Sequence, residues 1–197
     1  MDARRATEGA GQAPAGFGIM RAMPHHPLWL PQPPALSAAA QSCLTEAGSL
    51  TERLQSTGRR FAVRVLRQGP DACLEDEAPS LGLAAGAPLH AREVALTLDD
   101  TPVVFARSVT RLDCAAWQPI LDRGSRSLGL TLFGGLPDLL RDPLRYRLIA
   151  ADHPLFAPAA RLSPHASYPA RRCRFLLRQA PLLVCELFLP ELENFLR

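Results

Sequence analysis

The residues that could do chemistry stand out by position rather than by motif. The stretch "PLLVCELFLP", Pro181 to Pro190, reads as a buried strand, apolar on both faces, with one carboxylate, Glu186, in its middle. An ionised carboxylate buried without a partner is strongly unfavourable. Glu186 must therefore meet a cation, be held protonated, or serve chemistry. A second stretch, "HAREVALTLDDTPVVFARSVTR", holds two alternating runs around Asp99 and Asp100 and reads as a β-hairpin turning there. Period-two alternation puts Arg92, Val94, Leu96 and Leu98 on one face, and Val103, Phe105, Arg107 and Val109 on the facing strand. A two-residue turn sets Arg92 directly opposite Arg107. Like charges so placed repel, unless anions sit between or above them. Two inward arginines and one inward glutamate describe a polar site within an apolar enclosure. The plainer alternative is a buried ion triad with no ligand, but the excess of positive charge favours a small anion.

Positioning these side chains takes a handful of elements. The strand of Glu186 is half of a second hairpin, "RRCRFLLRQAPLLVCELFLP", with its turn at Gln179 and Ala180. That pairing puts Cys173 opposite Glu186, as a small apolar filler, and gathers Phe175, Leu177, Leu182, Val184 and Phe188 on the same face. Arg172, Arg174 and Arg178 fall on the other face, expected to be solvated. Upstream, "ALSAAAQSCL" is helical in pattern, and "SLTERLQSTG" is a helix capped by Ser49, with Glu52 three residues on and Gly58 to end it. "RFAVRVLRQG" alternates as a half-buried strand. The segment "PDACLEDEAPSLGLAAGAP" reads as a loop with a solvated acidic cluster. "CAAWQPILDRG" and "SLGLTLFGG" look helical, "LPDLLRDPLRYRLIA" leads into another strand, and "HPLFAPAARLSPHASYPA" reads as a proline-broken connection.

Composition removes whole classes of function. A chain of 197 residues, 47% apolar, suits one domain with a sizeable core. A net charge of +3, scattered along the chain, does not suggest a nucleic-acid surface. All 22 basic residues are arginine, so neither a Schiff-base lysine nor a phosphate-loop lysine is available. Five cysteines without a CxxC pair argue against a disulfide scaffold or zinc ribbon and for a reducing, cytoplasmic home. No run approaches the about 18 apolar residues of a membrane span. Residues 1–40, rich in Ala, Gly and Pro, read as a flexible leader before a domain over 41–197, and the adjacent His25 and His26 are a weak metal signal. GxSxG, HExxH and a strand-to-helix GxGxxG are all missing, so no metal or organic cofactor is expected.

"SLTERL", "VLRQG", "REVALTLDDTPVVFARSV", "RSLGLTLF", "ARRCRFLL" and "PLLVCELFLP" together resemble the successive motifs of the chorismate lyase family, in order and spacing, from about Leu44 to Pro190. The resemblance implies an α+β fold: a single antiparallel sheet of about six strands, with helices closing over an internal ligand site. It also implies cofactor-free conversion of chorismate to 4-hydroxybenzoate and pyruvate, the entry to the ubiquinone ring, by a protein expected to be monomeric. By motif, Arg92 corresponds to the arginine that holds the ring carboxylate, and Glu186 to the acid that hydrogen-bonds the ring hydroxyl. Leu50, where relatives commonly carry methionine, and Leu128 correspond to positions whose backbone amides help hold the carboxylate. Arg107 is expected to support the second carboxylate or to orient Glu186. Both a concerted six-centre transfer and a stepwise elimination fit such a site, and an enclosed site should release its product slowly. The rival expectation is a non-catalytic effector-binding domain of the same fold. Such domains usually follow a DNA-binding helix-turn-helix, for which the first 40 residues are too short.

Overall fold

The computed structural model describes residues 26–122 and 124–196. The elements run α1 (Ala38–Leu44), α2 (Leu50–Gln55), β1 (Phe61–Ala72), α3 (Ala78–Leu81), β2 (Pro88–Leu98), β3 (Thr101–Arg111), α4 (Gln118–Leu121), α5 (Leu128–Phe133), β4 (Leu139–Arg141), β5 (Arg145–Ile149), α6 (Phe156–Leu162), β6 (Tyr168–Leu177) and β7 (Ala180–Phe188). A 3₁₀ turn, Pro190–Phe195, follows. The fold is α+β around one antiparallel sheet of seven strands, ordered β1-β2-β3-β7-β6-β4, with β5 also paired to β6. The strand beyond the expected six arises because Pro143 interrupts the run from Leu139 to Ile149. It leaves two short strands that share the edge of β6. Residues 1–25 of the expected leader, His25 among them, lie outside the described residues. Farther along that segment Trp29 is buried and Leu30 bridges to Tyr146.

Helices cover both faces of the sheet. One face packs Leu44 of α1, Leu50 and Leu54 of α2, and Leu128 and Leu132 of α5 against strand residues such as Val94, Leu96 and Phe175. The other packs Trp29, Leu155 and Ala159 of α6 against Phe105, Ile149 and Leu187. α6 occupies the segment expected to be a proline-broken connection; Pro158 lies in its first turn, where its missing N–H is not needed.

The first hairpin turns at Asp99 and Asp100, both left-handed (φ 47° and 66°), as a two-residue turn matched to strand twist requires. Its register departs from the expected one. Leu98 pairs with Thr101 and Thr97 with Pro102, but Leu96 pairs with Val104, so Val103 is an extra residue on β3. Pro102 cannot donate to the ladder, and the Val103 carbonyl accepts from Leu189 N instead (3.0 Å). Beyond this bulge every β3 side chain is on the opposite face from the one expected. Arg92 lies opposite Ser108, and Arg107 lies opposite Glu93.

Arg107 therefore does not join Arg92. It is 1% exposed on the other face, within an acidic cradle. Its Nε donates to Glu77 Oε1 (2.7 Å), and Nη1 donates to both Asp71 Oδ2 (2.6 Å) and Glu93 Oε1 (2.8 Å). The acidic segment expected to be solvated supplies Asp71 and Glu77 to this cradle, and its Asp76 and Glu77 are both buried. Arg172 and Arg174, also expected in solvent, are buried because α6, the Trp29 segment and the Asp142 turn cover that face. Asp76 accepts from Trp29 Nε1 (2.6 Å) and pairs with His153 Nε2 (3.1 Å). His153 Nδ1 accepts from Leu155 N (3.1 Å), so the proton sits on Nε2 and points at Asp76.

These contacts set an acid limit on stability. Burial alone would raise the Asp76 carboxyl, but hydrogen bonds from His153 and Trp29 outweigh it and hold it at about 2. Desolvation of Asp71 is likewise outweighed, by Arg67 and Arg107, and its carboxyl also lies at about 2. Both groups sit below their ordinary 3.8. Their stabilisation is complete above that value and is lost as pH falls from it towards 2, at roughly 2 kcal/mol for each group. Urea midpoints should thus fall steeply below about pH 4, and Asp76→Asn should flatten that dependence. Arg107→Ala, which takes from Glu77 its ion-pair partner and leaves Asp71 and Glu93 to Arg67, should cost about 3–5 kcal/mol at neutral pH in the same assay.

Candidate active site

The opposite face of the sheet carries a cavity roofed by α2 and α5. About 630 Å³ of space free of protein atoms, open solvent at its mouth included, lies between its walls. Leu50, Arg92, Leu128 and Glu186 all line it; Arg107 does not. Apolar walls come from residues such as Val94, Leu96, Leu132 and Phe175. Four of the five expected site residues therefore converge, and the fifth is removed by the bulge at Val103.

Each arrives by a local cause. Arg92 is an inward residue of β2, 2% exposed. Its Nη2 donates to Gly124 O (2.7 Å) and Arg126 O (3.3 Å), so it holds the loop leading into α5. Leu50 and Leu128 are the first residues of α2 and α5, after Ser49 and Ser127. Ser49 Oγ accepts from Glu52 N (3.3 Å), the expected cap. First-turn N–H groups have no acceptor within their own helix. The two helix starts meet where Thr51 Oγ1 and Ser127 Oγ lie 2.5 Å apart.

Glu186 is not alone. The second hairpin turns at Arg178 and Gln179 (φ 50° and 67°), one residue earlier than expected. No Gly, Asn or Asp distinguishes either choice in "LRQAP". The displacement changes partners but not faces: Cys173 lies opposite Val184, and Arg171 lies opposite Glu186. Arg171 Nε donates to Glu186 Oε2 at 2.6 Å. Its Nη1 donates to the carbonyls of Cys43 (3.2 Å), Leu44 (3.4 Å) and Glu46 (2.8 Å), at the end of α1. Arg171 lines the same cavity, a placement that sequence reasoning missed. The signal was present, because counting back by two from Cys173 puts it on the face of Glu186.

Cys173 also lines the cavity. Burial pushes its thiol up, and its sulfur sits between Arg141 Nε (3.2 Å) and the Asp142 carbonyl (3.1 Å). A protonated, hydrogen-bonded thiol of this kind fills space and is a poor nucleophile.

A buried cation and a carboxylate within one apolar enclosure suit a small anionic ligand that also carries a hydrogen-bond donor. A family model described as chorismate lyase matches residues 23–194. The chain belongs to the chorismate lyase family. Among its relatives in that family, the probable chorismate pyruvate-lyase of Aromatoleum aromaticum is 43% identical over 180 residues, spanning 87% of this chain and 96% of that protein. The corresponding protein of Cupriavidus metallidurans is 37% identical, spanning 83% and 78%. Among solved structures, the effector domain of PhnF from Mycobacterium smegmatis matches with a TM-score of 0.52 at 18% identity, over 73% of this chain and 90% of that one. A likeness at that identity is one of fold. Among the described residues, no helix is long and apolar enough to cross a membrane.

In this chorismate lyase family member the roof depends on one small residue. A Cβ added at Gly129 would stand 2.8 Å from Thr51 Oγ1 and 3.2 Å from Ser49 Oγ. Both atoms belong to short side chains at the start of α2 and cannot swing away. Gly129→Ala should therefore separate α2 from α5 and destabilise the fold by about 1–3 kcal/mol, read as a lowered urea midpoint.

Proposed function

We propose that this cavity converts chorismate to 4-hydroxybenzoate and pyruvate, supplying the aromatic ring for ubiquinone. The observation that carries the reading is the sharing of one enclosed cavity by Arg92 and Glu186. Family membership supplies the substrate. Arg92 anchors the ring carboxylate, helped by the backbone amides at Leu50 and Leu128, and Glu186 accepts a hydrogen bond from the C4 hydroxyl. To reach products, the ring C3–O bond breaks, the C4 hydrogen leaves, and the enolpyruvyl methylene gains a hydrogen. A cyclic transfer of the C4 hydrogen to the methylene accomplishes all three; a stepwise elimination needs a base. Aromatisation drives either route, so the protein's task is to hold the reactive conformer and support developing charge. All five cysteines are free and buried, which supports a reducing, cytoplasmic setting, and we take the active unit to be the monomer.

The test is to follow pyruvate and 4-hydroxybenzoate together after adding chorismate without metal. Equal release is expected. Arg92→Ala should lower kcat/KM about 10²–10³-fold, as loss of a charge-assisted contact in a buried site requires. Saturable 4-hydroxybenzoate binding without turnover would instead favour an effector-binding domain. Glu186→Gln separates two roles: near-normal kcat excludes acid–base work and leaves positioning.

A further inference from the structure

Within this reading of the site, the one carboxylate that touches the ring hydroxyl is only as well placed as the group that holds it. Arg171 and Glu186 are directly opposed on adjacent strands, with Nε 2.6 Å from Oε2. The arginine side chain is 4% exposed and the glutamate 18%, so the pair is buried at its cationic end and opens at its carboxylate end. Nη1 is fixed by three carbonyls, those of Cys43, Leu44 and Glu46, and the guanidinium packs over Phe188, 5.7 Å from the ring centroid. A planar fork bound along two edges cannot turn to follow a ligand. Glu186 Oε2 is thereby committed to Arg171, and Oε1 is the oxygen left to meet a ligand in the cavity both residues line.

We infer that Arg171 is the positioning residue for Glu186: it fixes one carboxylate oxygen so that the other meets a ring hydroxyl, and it thereby sets selectivity for a 4-hydroxylated ring over a bare one. The inference rests on the proposed lyase site but concerns a different interaction from the anchoring of the carboxylate. A residue that only supported the fold would weaken every ligand alike. A positioning residue weakens those that carry the hydroxyl by more than those that do not.

Titration calorimetry with 4-hydroxybenzoate and with benzoate distinguishes these cases. The full chain should prefer the hydroxylated ligand. Arg171→Gln should reduce that preference about 10-fold or more, the worth of a hydrogen bond to a charged group, beyond any loss common to both ligands from loosening the end of α1. Glu186→Gln should reduce it similarly, and adding Arg171→Gln to Glu186→Gln should change it no further. Equal weakening of both ligands by Arg171→Gln, or an undiminished preference, would overturn the inference. So would a further loss in the double variant. Should Arg171→Gln fail to fold, Arg171→Lys keeps the charge without the fork. It should lose several-fold in preference, and full preference there would overturn the role. No preference in the unmodified protein would also overturn it. Chorismate turnover, measured on the same preparation, reports on the lyase reading separately.

Discussion

The arrangement of both faces of the sheet depends on the burial of Arg107 among Glu77, Glu93 and Asp71. A strand that slips by one residue exchanges its entire inner and outer sets. β2 and β3 are buried along nearly their whole lengths, so hydrophobicity alone does not say which face is which. The cradle supplies the missing information. With Glu93 opposite Arg107, β3 must bulge at Val103, and Ala106 and Ser108 turn towards the cavity beside Arg92. Buried ion clusters add little stability relative to apolar packing, because desolvation opposes their attraction. Their use here is to make the wrong register costly.

The ligand face is organised on a second consequence of that register. α2 and α5 have six residues each, far too short to be stable alone. They are held by contacts to the same groups that define the site. Arg92 binds the carbonyls of Gly124 and Arg126 ahead of α5, and Arg171 binds the carbonyls that end α1 ahead of α2. Thr51 and Ser127 then join the two helices. The roof and the binding groups thus form one connected structure. The path into α5 therefore rests on an arginine that also lines the cavity.

Much of this was legible in local sequence. The Asp99–Asp100 turn, the Ser49 cap, the inward placement of Arg92 and Glu186, and the starts of α2 and α5 each follow from nearby residues and a known period. What was not legible depends on partners distant in sequence. The bulge is set by Pro102, by Leu189 pairing with Val103, and by carboxylates on β1 and α3. Asp76 and Glu77 look solvated until Arg172 and Arg107 come to meet them, and Arg172 and Arg174 look solvated until α6, Trp29 and Asp142 cover them. Charge alone marks a residue as exposed only when no opposite charge lies across the fold.

The all-arginine composition explains how so many cations are buried in a small domain. A lysine offers its donors from one atom, whereas a guanidinium offers them along separate edges of a plane. Arg107 uses those edges to join three carboxylates from three elements, and Arg171 uses them to join a strand partner to a helix end. Arg172 marks the limit of the device. Only its Nη1 has hydrogen-bond partners; Nε and Nη2 are buried without any, and the face of Trp29, 4.4 Å away, takes the charge instead. Burial lowers its pKa to about 10 despite the nearby Asp76, so it stays cationic at neutral pH, but at a cost that Arg107 avoids. Arg107 and Arg172 tie that face of the sheet to the segments that cover it. Arg92 and Arg171 line the cavity on the other face.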